Sequence, residues 1–542
     1  MSDEIPQHLP RGKACVPCRK RKMKCDGNQP ICNQCSRFNR AAECEFKEGP
    51  APSTTRVLEQ HIARLESRIS ELETDDPNAI HLHNPYSQSR AVASSAHASP
   101  AVQPAQLNWW DMPDPPTNIQ QILIQSFLRH ANKLGFFFES QRFLNSMTSP
   151  TGVRPPNVIR TIVYLWGITL SRNPQYTQHE SKYLNRALRY LHVALSACST
   201  PQYQGQQEGN VLDVLQASIL LANYFFHHNR LLEGKFHTGA AVSLAHMCNL
   251  HKLLSPPGPA GSAAPEYLPR PLDVVQECER IHAWWSVFVL DKTWVVALSA
   301  PSMINEEQER GSEVDTPWPI GMDLYRQQPS SSRPNPGSTT KRFFAELLTD
   351  NTNVPNGDPS CLTLLAKASA LYERANYIAS YLDKNTPSYQ AVISTFDASI
   401  ERFKQSLPAI ERSTQLSPDR AHTLLLIHTL THSATIQLHW PLTSHSTASI
   451  NRCLAAANTI VRVVQVLDVK RMEFANPVLG VRTIFLLSNL LGAAANCANL
   501  NPYATRFWPA LQVTCLHKVS GPCGALVQDL PQLQLLLGRK DL

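Results

Sequence analysis

Six cysteines near the start of the chain, Cys15, Cys18, Cys25, Cys32, Cys35 and Cys44, stand as two CxxC pairs, each followed by one further cysteine. A CxxC pair lets two sulfurs grip one ion from a single turn, and zinc takes thiolates in tetrahedral sets of four. Six sulfurs cannot fill two separate four-ligand sites, but they fill two if a pair of sulfurs is shared. No histidine lies between Arg11 and Lys47. That excludes mixed cysteine–histidine finger chemistry, and the spacings are not those of RING or LIM sites. Seven basic residues and no acidic one lie between Arg11 and Lys24: Arg11, Lys13, Arg19, Lys20, Arg21, Lys22 and Lys24. Such a block meets a polyanion or serves as a nuclear import signal, with a solvated charge run as the plainer alternative. Its place inside the ligand frame favours nucleic acid over a purely structural zinc knot.

The stretch from Cys15 to Cys44, CVPCRKRKMKCDGNQPICNQCSRFNRAAEC, resembles the fungal zinc binuclear cluster regulators at every spacing, Pro30 included. The resemblance implies two Zn²⁺ per chain, with Cys15 and Cys32 bridging. Cys18 and Cys25 then complete one ion, and Cys35 and Cys44 the other. Six thiolates against two Zn²⁺ leave about −2, which the surrounding Lys and Arg offset. A short helix is expected from Cys18 to Cys25. Related modules lay this helix in the major groove of double-stranded DNA, where Lys or Arg donates to guanine O6 and N7. The resemblance puts base contacts at Arg21 and Lys22 and implies CGG-like triplets. Arg19, Lys20 and Lys24 are expected on phosphates, with Arg11, Lys13, Arg37 and Arg40 adding backbone grip.

The elements around this module decide how it is presented. With the DNA-binding module taken as residues 11–47, residues 48–53 hold Gly and two prolines and read as a short, semi-stiff linker. In 54–76, Leu58, Ile62, Leu65, Ile69 and Leu72 recur at alternating steps of four and three. That is a heptad with Ile at a and Leu at d, the pairing that favours a parallel two-stranded coiled coil. A homodimer follows, each chain bringing one module to DNA. The alternative is one amphipathic helix docked on its own chain. Residues 77–117, rich in Ser, Ala, Pro, His and Gln, read as a disordered linker. Its one odd feature is Trp109-Trp110 among acids, expected as the point where the chain first packs on the next domain, with a small activation or docking motif as the alternative.

From 118 to 542 helical periodicity dominates and no two-residue alternation competes, so the fold class is mainly α. Of 542 residues 42% are hydrophobic and only 17% charged, with 41 prolines, a mix of apolar helical bodies and proline-rich connectors. The net charge of +7 matters less than its concentration in the N-terminal block. The remaining eight of the 14 cysteines stand singly in apolar stretches and read as core residues in a reducing compartment. The polar, acidic start of the chain is not a secretory signal. Val478–Ala495, interrupted by Arg482, Ser488 and Asn489, reads as a buried helix and not a membrane span. Nuclear localisation and no membrane partner are therefore expected.

LLEGKFHTGAAVSLAHMCNLHKL and the later ECERIHAWWSVFVLDKTWVVALSAPSMI resemble the fungal transcription factor regulatory domain. Glu277, Arg280, Trp284, Trp285, Asp291 and Pro301 fall on its pattern, and Ser299-Ala300 stand where Gly-Arg is often seen. These residues are expected to be structural, with Glu277 or Asp291 paired to Arg280 or Lys292. The chain carries no phosphate-binding glycine loop, no GxSxG and no HExxH, so an enzyme is not expected. The helical region has room for a co-regulator or a small effector. A regulator of RNA polymerase II genes is the main reading, against a metal-dependent scaffold and a DNA-tethered enzyme.

Overall fold

The computed structural model describes residues 13–46, 108–148, 154–198, 210–254, 267–305, 313–321, 324–325, 338–349, 360–382, 387–409, 417–466, 476 and 478. They fall in two units that divide after Gln103. Arg11, linker 48–53, the heptad at Leu58, Ile62, Leu65, Ile69 and Leu72, and nearly all of 478–495 lie outside the described residues.

In the first unit, α1 (Val16–Lys20) and α2 (Asn33–Arg37) repeat one design. Each CxxC supplies its helix with an N-cap cysteine, Cys15 or Cys32, and a second cysteine three positions on. Three residues is nearly one helical turn, so both sulfurs leave the same face. Each helix also ends alike. Lys22 and Asn39 take left-handed φ values of 52° and 55°. Met23 N–H then donates to Cys18 O at 2.9 Å and Arg40 N–H to Cys35 O at 2.8 Å, the bond that closes a Schellman motif. The expected helix from Cys18 to Cys25 is thereby corrected. It begins at Val16, because Pro17 fits a first turn that needs no N–H. It stops before Arg21 and Lys22, which form the reversal after it.

The second unit is built, among its described residues, of helices and loops without strands. Its longer helices are α3 (Thr117–Leu128), α4 (Ser140–Thr148), α5 (Asn157–Ser171), α6 (Glu180–Cys198), α7 (Val211–His227) and α8 (Leu231–Met247). They continue with α9 (Val274–Ala297), α10 (Thr339–Leu348), α11 (Cys361–Tyr381), α12 (Tyr389–Ser406), α13 (Pro418–His439) and α14 (Thr447–Val466). Successive helices pack in a chain: α3 on α5, α5 on α6 and α7, α7 on α8, α8 on α9, α9 on α11, and α11, α12 and α14 on α13.

Helix α7 is apolar almost all round and buried at nearly every position from Val211 to Phe226, which makes it a central helix and not a surface one. Its start is fixed by a capping box, in which Asn210 Oδ1 accepts from Leu212 N–H and Asp213 Oδ2 accepts from Asn210 N–H, both at 2.8 Å. Buried Gln216 ties in the preceding loop, accepting from Phe137 N–H at 2.7 Å and donating to Gly135 O at 3.1 Å. Helix α5 crosses α3 so closely that a Cβ on Gly167 would lie 2.3 Å from Leu123 O.

Residues 108–116, assigned by composition to the linker of 77–117, are a correction. They pack on the helical unit. Trp110 stacks on His179 with ring centroids 3.9 Å apart. Arg186 donates to the carbonyls of Trp110 and Met112, both at 2.7 Å. Asp114 accepts from Arg154, Arg160 and Tyr164. A tryptophan pair buries too much apolar area to stay in water, so the packing expected of Trp109-Trp110 holds while the polar composition around it set the linker bound too late.

The motif residues of α9 pack as structural residues, and Asp291 and Lys292 take partners other than those expected. Trp284, Trp285 and Trp294 are buried in the core. Asp291, fully buried, accepts from Ser302 Oγ at 2.6 Å and from the Met303 and Ile304 amides, with Lys235 at 3.9 Å. Lys292 pairs with Glu373 at 3.1 Å and donates to Ile304 O at 2.8 Å. Arg280 donates to Pro269 O. Ser299 takes a left-handed φ of 52°, with Ala300 N–H donating to Val295 O at 2.8 Å. That is the helix-ending geometry glycine fits without strain, which explains why glycine is often seen there.

Candidate metal centre and nucleic-acid interface

Among its described residues the first unit has almost no hydrocarbon core. Its buried residues are Cys15, Cys18, Cys32 and Cys35, with Met23, Cys25, Cys44 and Phe46 packed around them. The Sγ atoms lie 3.6 Å apart for Cys15–Cys32, 3.7 Å for Cys15–Cys35 and Cys18–Cys32, and 3.9 Å for Cys18–Cys35. Zinc held by four thiolates at about 2.3 Å sets tetrahedral edges of about 3.8 Å. The cage therefore has the dimensions of a zinc–thiolate site, and thiolate is the donor zinc prefers there.

Cys25 and Asp26 form a second grouping with Cys32, and Cys44 Sγ accepts from Cys32 N–H at 3.4 Å. All six cysteines are thus in one neighbourhood. The implied bridging pair, Cys15 and Cys32, is the tightest of these contacts. Four sulfurs, however, converge more closely than the implied partition alone requires, since Cys18 and Cys35 belong there to different ions. Burial pushes the thiols of Cys15 and Cys18 up, and that of Cys35 to about 12. At Cys32 burial pushes the same way, but hydrogen bonds from the Cys35 amide and the neighbouring sulfurs outweigh it and hold the thiol down to about 6.

Asp26 is a positioning residue that the spacing of cysteines does not reveal. Both its carboxylate oxygens accept from Asn33 N–H, at 3.1 and 3.2 Å, fixing the entry to α2. Its signal in sequence is only an Asp seven residues ahead of a helix start.

The cations lie outside this cage. Lys13, Arg19, Lys20, Arg21, Lys22 and Lys24 are all exposed, as they must be to meet an anion. Arg19 reaches back to Ala14 O at 2.9 Å, which orders its side chain along α1. Arg21 lies 3.9 Å from Glu43, a pair too exposed to contribute much stability but one that any phosphate or base must displace. Lys22 occupies the left-handed position at the helix end, so its Cα projects from the reversal rather than from the helix barrel. Arg37 and Arg40 are exposed on the equivalent stretch of the second half.

A cysteine-caged module with an exposed cationic reversal, ahead of a large helical body, defines a class: metal-organised modules that present a cationic face. Comparison with known proteins narrows it. Residues 13–52 match the fungal Zn(2)-Cys(6) binuclear cluster domain, and residues 124–312 match the fungal specific transcription factor domain. The chain thus carries the two domains of the fungal zinc-cluster transcription factors. Its cluster domain is one that holds two zinc ions, and both domains are those of a transcription factor and not of an enzyme.

The chain is similar to the citrinin biosynthesis transcriptional activator mrl3 of Monascus ruber, 24% identical over 336 residues, covering 54% of this chain and 62% of that protein. It is similar in the same measure to the activator ctnR of Monascus purpureus, covering 54% of each. The transcription regulator galc of Aspergillus niger is 38% identical over 71 residues, 12% of this chain and 8% of that one. The chain thus spans between half and two thirds of the two Monascus proteins. No solved structure matches.

Proposed function

We propose that this chain is a sequence-specific, double-stranded-DNA-binding regulator of RNA polymerase II transcription that acts in the nucleus. Two Zn²⁺ bridged by Cys15 and Cys32 hold the module, Cys18 and Cys25 completing one ion and Cys35 and Cys44 the other. Arg21 and Lys22 read CGG-like triplets in the major groove. Arg19, Lys20 and Lys24 take phosphates, with Arg11 and Lys13 adding grip. The observation that carries the reading is the division of the module into a buried sulfur cage and an exposed row of cations at the end of α1. A structural zinc knot has no need of that row. The names of the two Monascus relatives, both activators, support the regulatory half. The heptad of 54–76 supports a homodimer that places two triplets on one site.

The zinc-loaded full chain, footprinted on duplex DNA bearing paired CGG triplets, is expected to protect both triplets. Its affinity is expected to fall steeply with salt as counterions are recaptured. Protection that ignores the triplets would contradict sequence-specific reading. Protection of single triplets would contradict the dimer alone.

A further inference from the structure

Helix α8 leaves one apolar side in water. Leu232 is 88% exposed, Phe236 71% and Met247 43%. With Gly239, Ala240 and Ser243 they recur at helical spacing along one side of Leu231–Met247. Met303, in the loop after α9, widens this side. It is 44% exposed and lies against Gly239, where a Cβ would meet its Sδ and Cε at 3.5 Å. The other side of α8 is in the core, with His237, Thr238, Ala241, Val242, Leu244 and Ala245 buried. Large apolar groups gathered on one side of a helix mark an interaction face and not scattered surface residues.

The face is matched to its own copy. About the point midway between Gly239 and Ala240 it is symmetric in position: Phe236 and Ser243 stand equally far on either side, as do Leu232 and Met247. An antiparallel copy related by a two-fold axis at this point sets each Phe236 at the level of the partner's Ser243, large against small. Each Leu232 then stands at the level of the partner's Met247. None of these positions is charged, so like faces meet without like charges. The charges beside them are already engaged, Glu233 with Arg230 and Lys235 with Asp291 at 3.9 Å. At about 1.5 Å per residue, the two Glu233 of such a pair stand roughly 20 Å apart along the axis and the two Lys235 roughly 14 Å. Both separations exceed the Debye length of about 8 Å at physiological salt. A helix of an unrelated protein would require no such symmetry.

We infer that α8 pairs, antiparallel and about a two-fold axis, with α8 of a second copy of this chain. The inference rests on the homodimer proposed from the heptad, because one helix face is a small interface and tethering supplies the local concentration that it needs. It adds a contact between the helical units of the two chains.

The test uses the zinc-loaded full chain in two measurements. In sedimentation equilibrium the parent chain is expected to dimerise. Phe236→Lys is expected to raise the dissociation constant at least about tenfold, as loss of a central aromatic anchor does. Leu232→Lys is expected to act in the same direction, and Val193→Lys, at an exposed position of α6, to change nothing. Thermal melting checks that each variant folds. In the second measurement p-benzoylphenylalanine is placed at position 236 and irradiated. The covalent dimer isolated on a denaturing gel is expected to carry its link within α8 of the partner. A parent chain that stays monomeric would contradict the homodimer reading and the inference with it. A dimeric parent whose link falls outside α8, or which forms no covalent dimer, would overturn the inference alone. So would a Phe236→Lys variant that dimerises as tightly as the parent.

Discussion

At the scale of residues, the proposed roles separate by what each side chain meets. Lys22 projects from the reversal after α1 and is proposed to face a base edge, whereas Lys24 is proposed to face phosphate. Lys22→Ala should therefore cost about 1–3 kcal/mol on a CGG-containing site and reduce discrimination between sites. Lys24→Ala should weaken all sequences alike and flatten the dependence on salt. Anisotropy titrations on matched and scrambled duplexes at several salt concentrations distinguish the two, and equal behaviour of both variants would sink the assignment. Asp26 acts differently again. Asp26→Ala removes the acceptor of Asn33 N–H and should cost the module about 1 kcal/mol, read as a lower chelator concentration at half-unfolding.

At the scale of elements, two backbone positions carry predictions that no side-chain inventory would suggest. Gly167 lets α5 lie against α3, and a Cβ there would strike the Leu123 carbonyl. Gly167→Ala should destabilise the helical unit by about 1–3 kcal/mol, because backbone and not a pliable side chain must give way. Ser299 closes α9 in a left-handed turn, and Ser299→Gly should stabilise by about 1 kcal/mol by removing that strain. Denaturant melts of both variants, with unchanged slope, check each.

The same elements show what could be read from sequence. Long apolar periodicity from 118 onward announced the mainly helical unit to which α7, α9 and α11 belong, since burying a helical stripe leaves its period in the sequence. The short α4 and α10 left no such mark. Spacing alone placed all six cysteines together, yet it misplaced the helix of the module. There the decisive features are a proline in the first turn and a lysine forced into the left-handed region. The docking of Trp109 and Trp110 followed from their size. The partners of Asp291, a loop after α9 and Lys235 of α8 in place of Arg280 or Lys292, depend on tertiary contacts that sequence does not encode locally.

At the scale of the whole molecule, the stability of the helical unit should depend on pH through its buried imidazoles. Burial holds His227 and His237 down to about 4 and His432 to about 3. Each binds a proton more readily in the unfolded chain, where the value is about 6.5. Stability is therefore complete above pH 6.5 and is lost as pH falls from there toward 4. Asp213, raised by burial to about 6, works in the opposite sense between about 6 and 4, and Glu279 is raised by burial as well, but these two carboxyls stand against five lowered imidazoles, since burial also lowers His179 and His282. Thermal melts between pH 7.5 and 4.5 should show a falling midpoint, and a midpoint that rises on acidification would contradict the assignment of neutral histidines.

The account as a whole says that zinc builds the surface that reads DNA. It is tested most directly by titrating the full chain, with and without excess chelator, onto a duplex bearing CGG triplets and onto one with the triplets scrambled. The expected result is tight, triplet-dependent binding with zinc and loss of the triplet preference with chelator, since a module cored by cysteines has nothing else to hold it. Triplet-dependent binding that persists after the metal is removed would contradict the central claim.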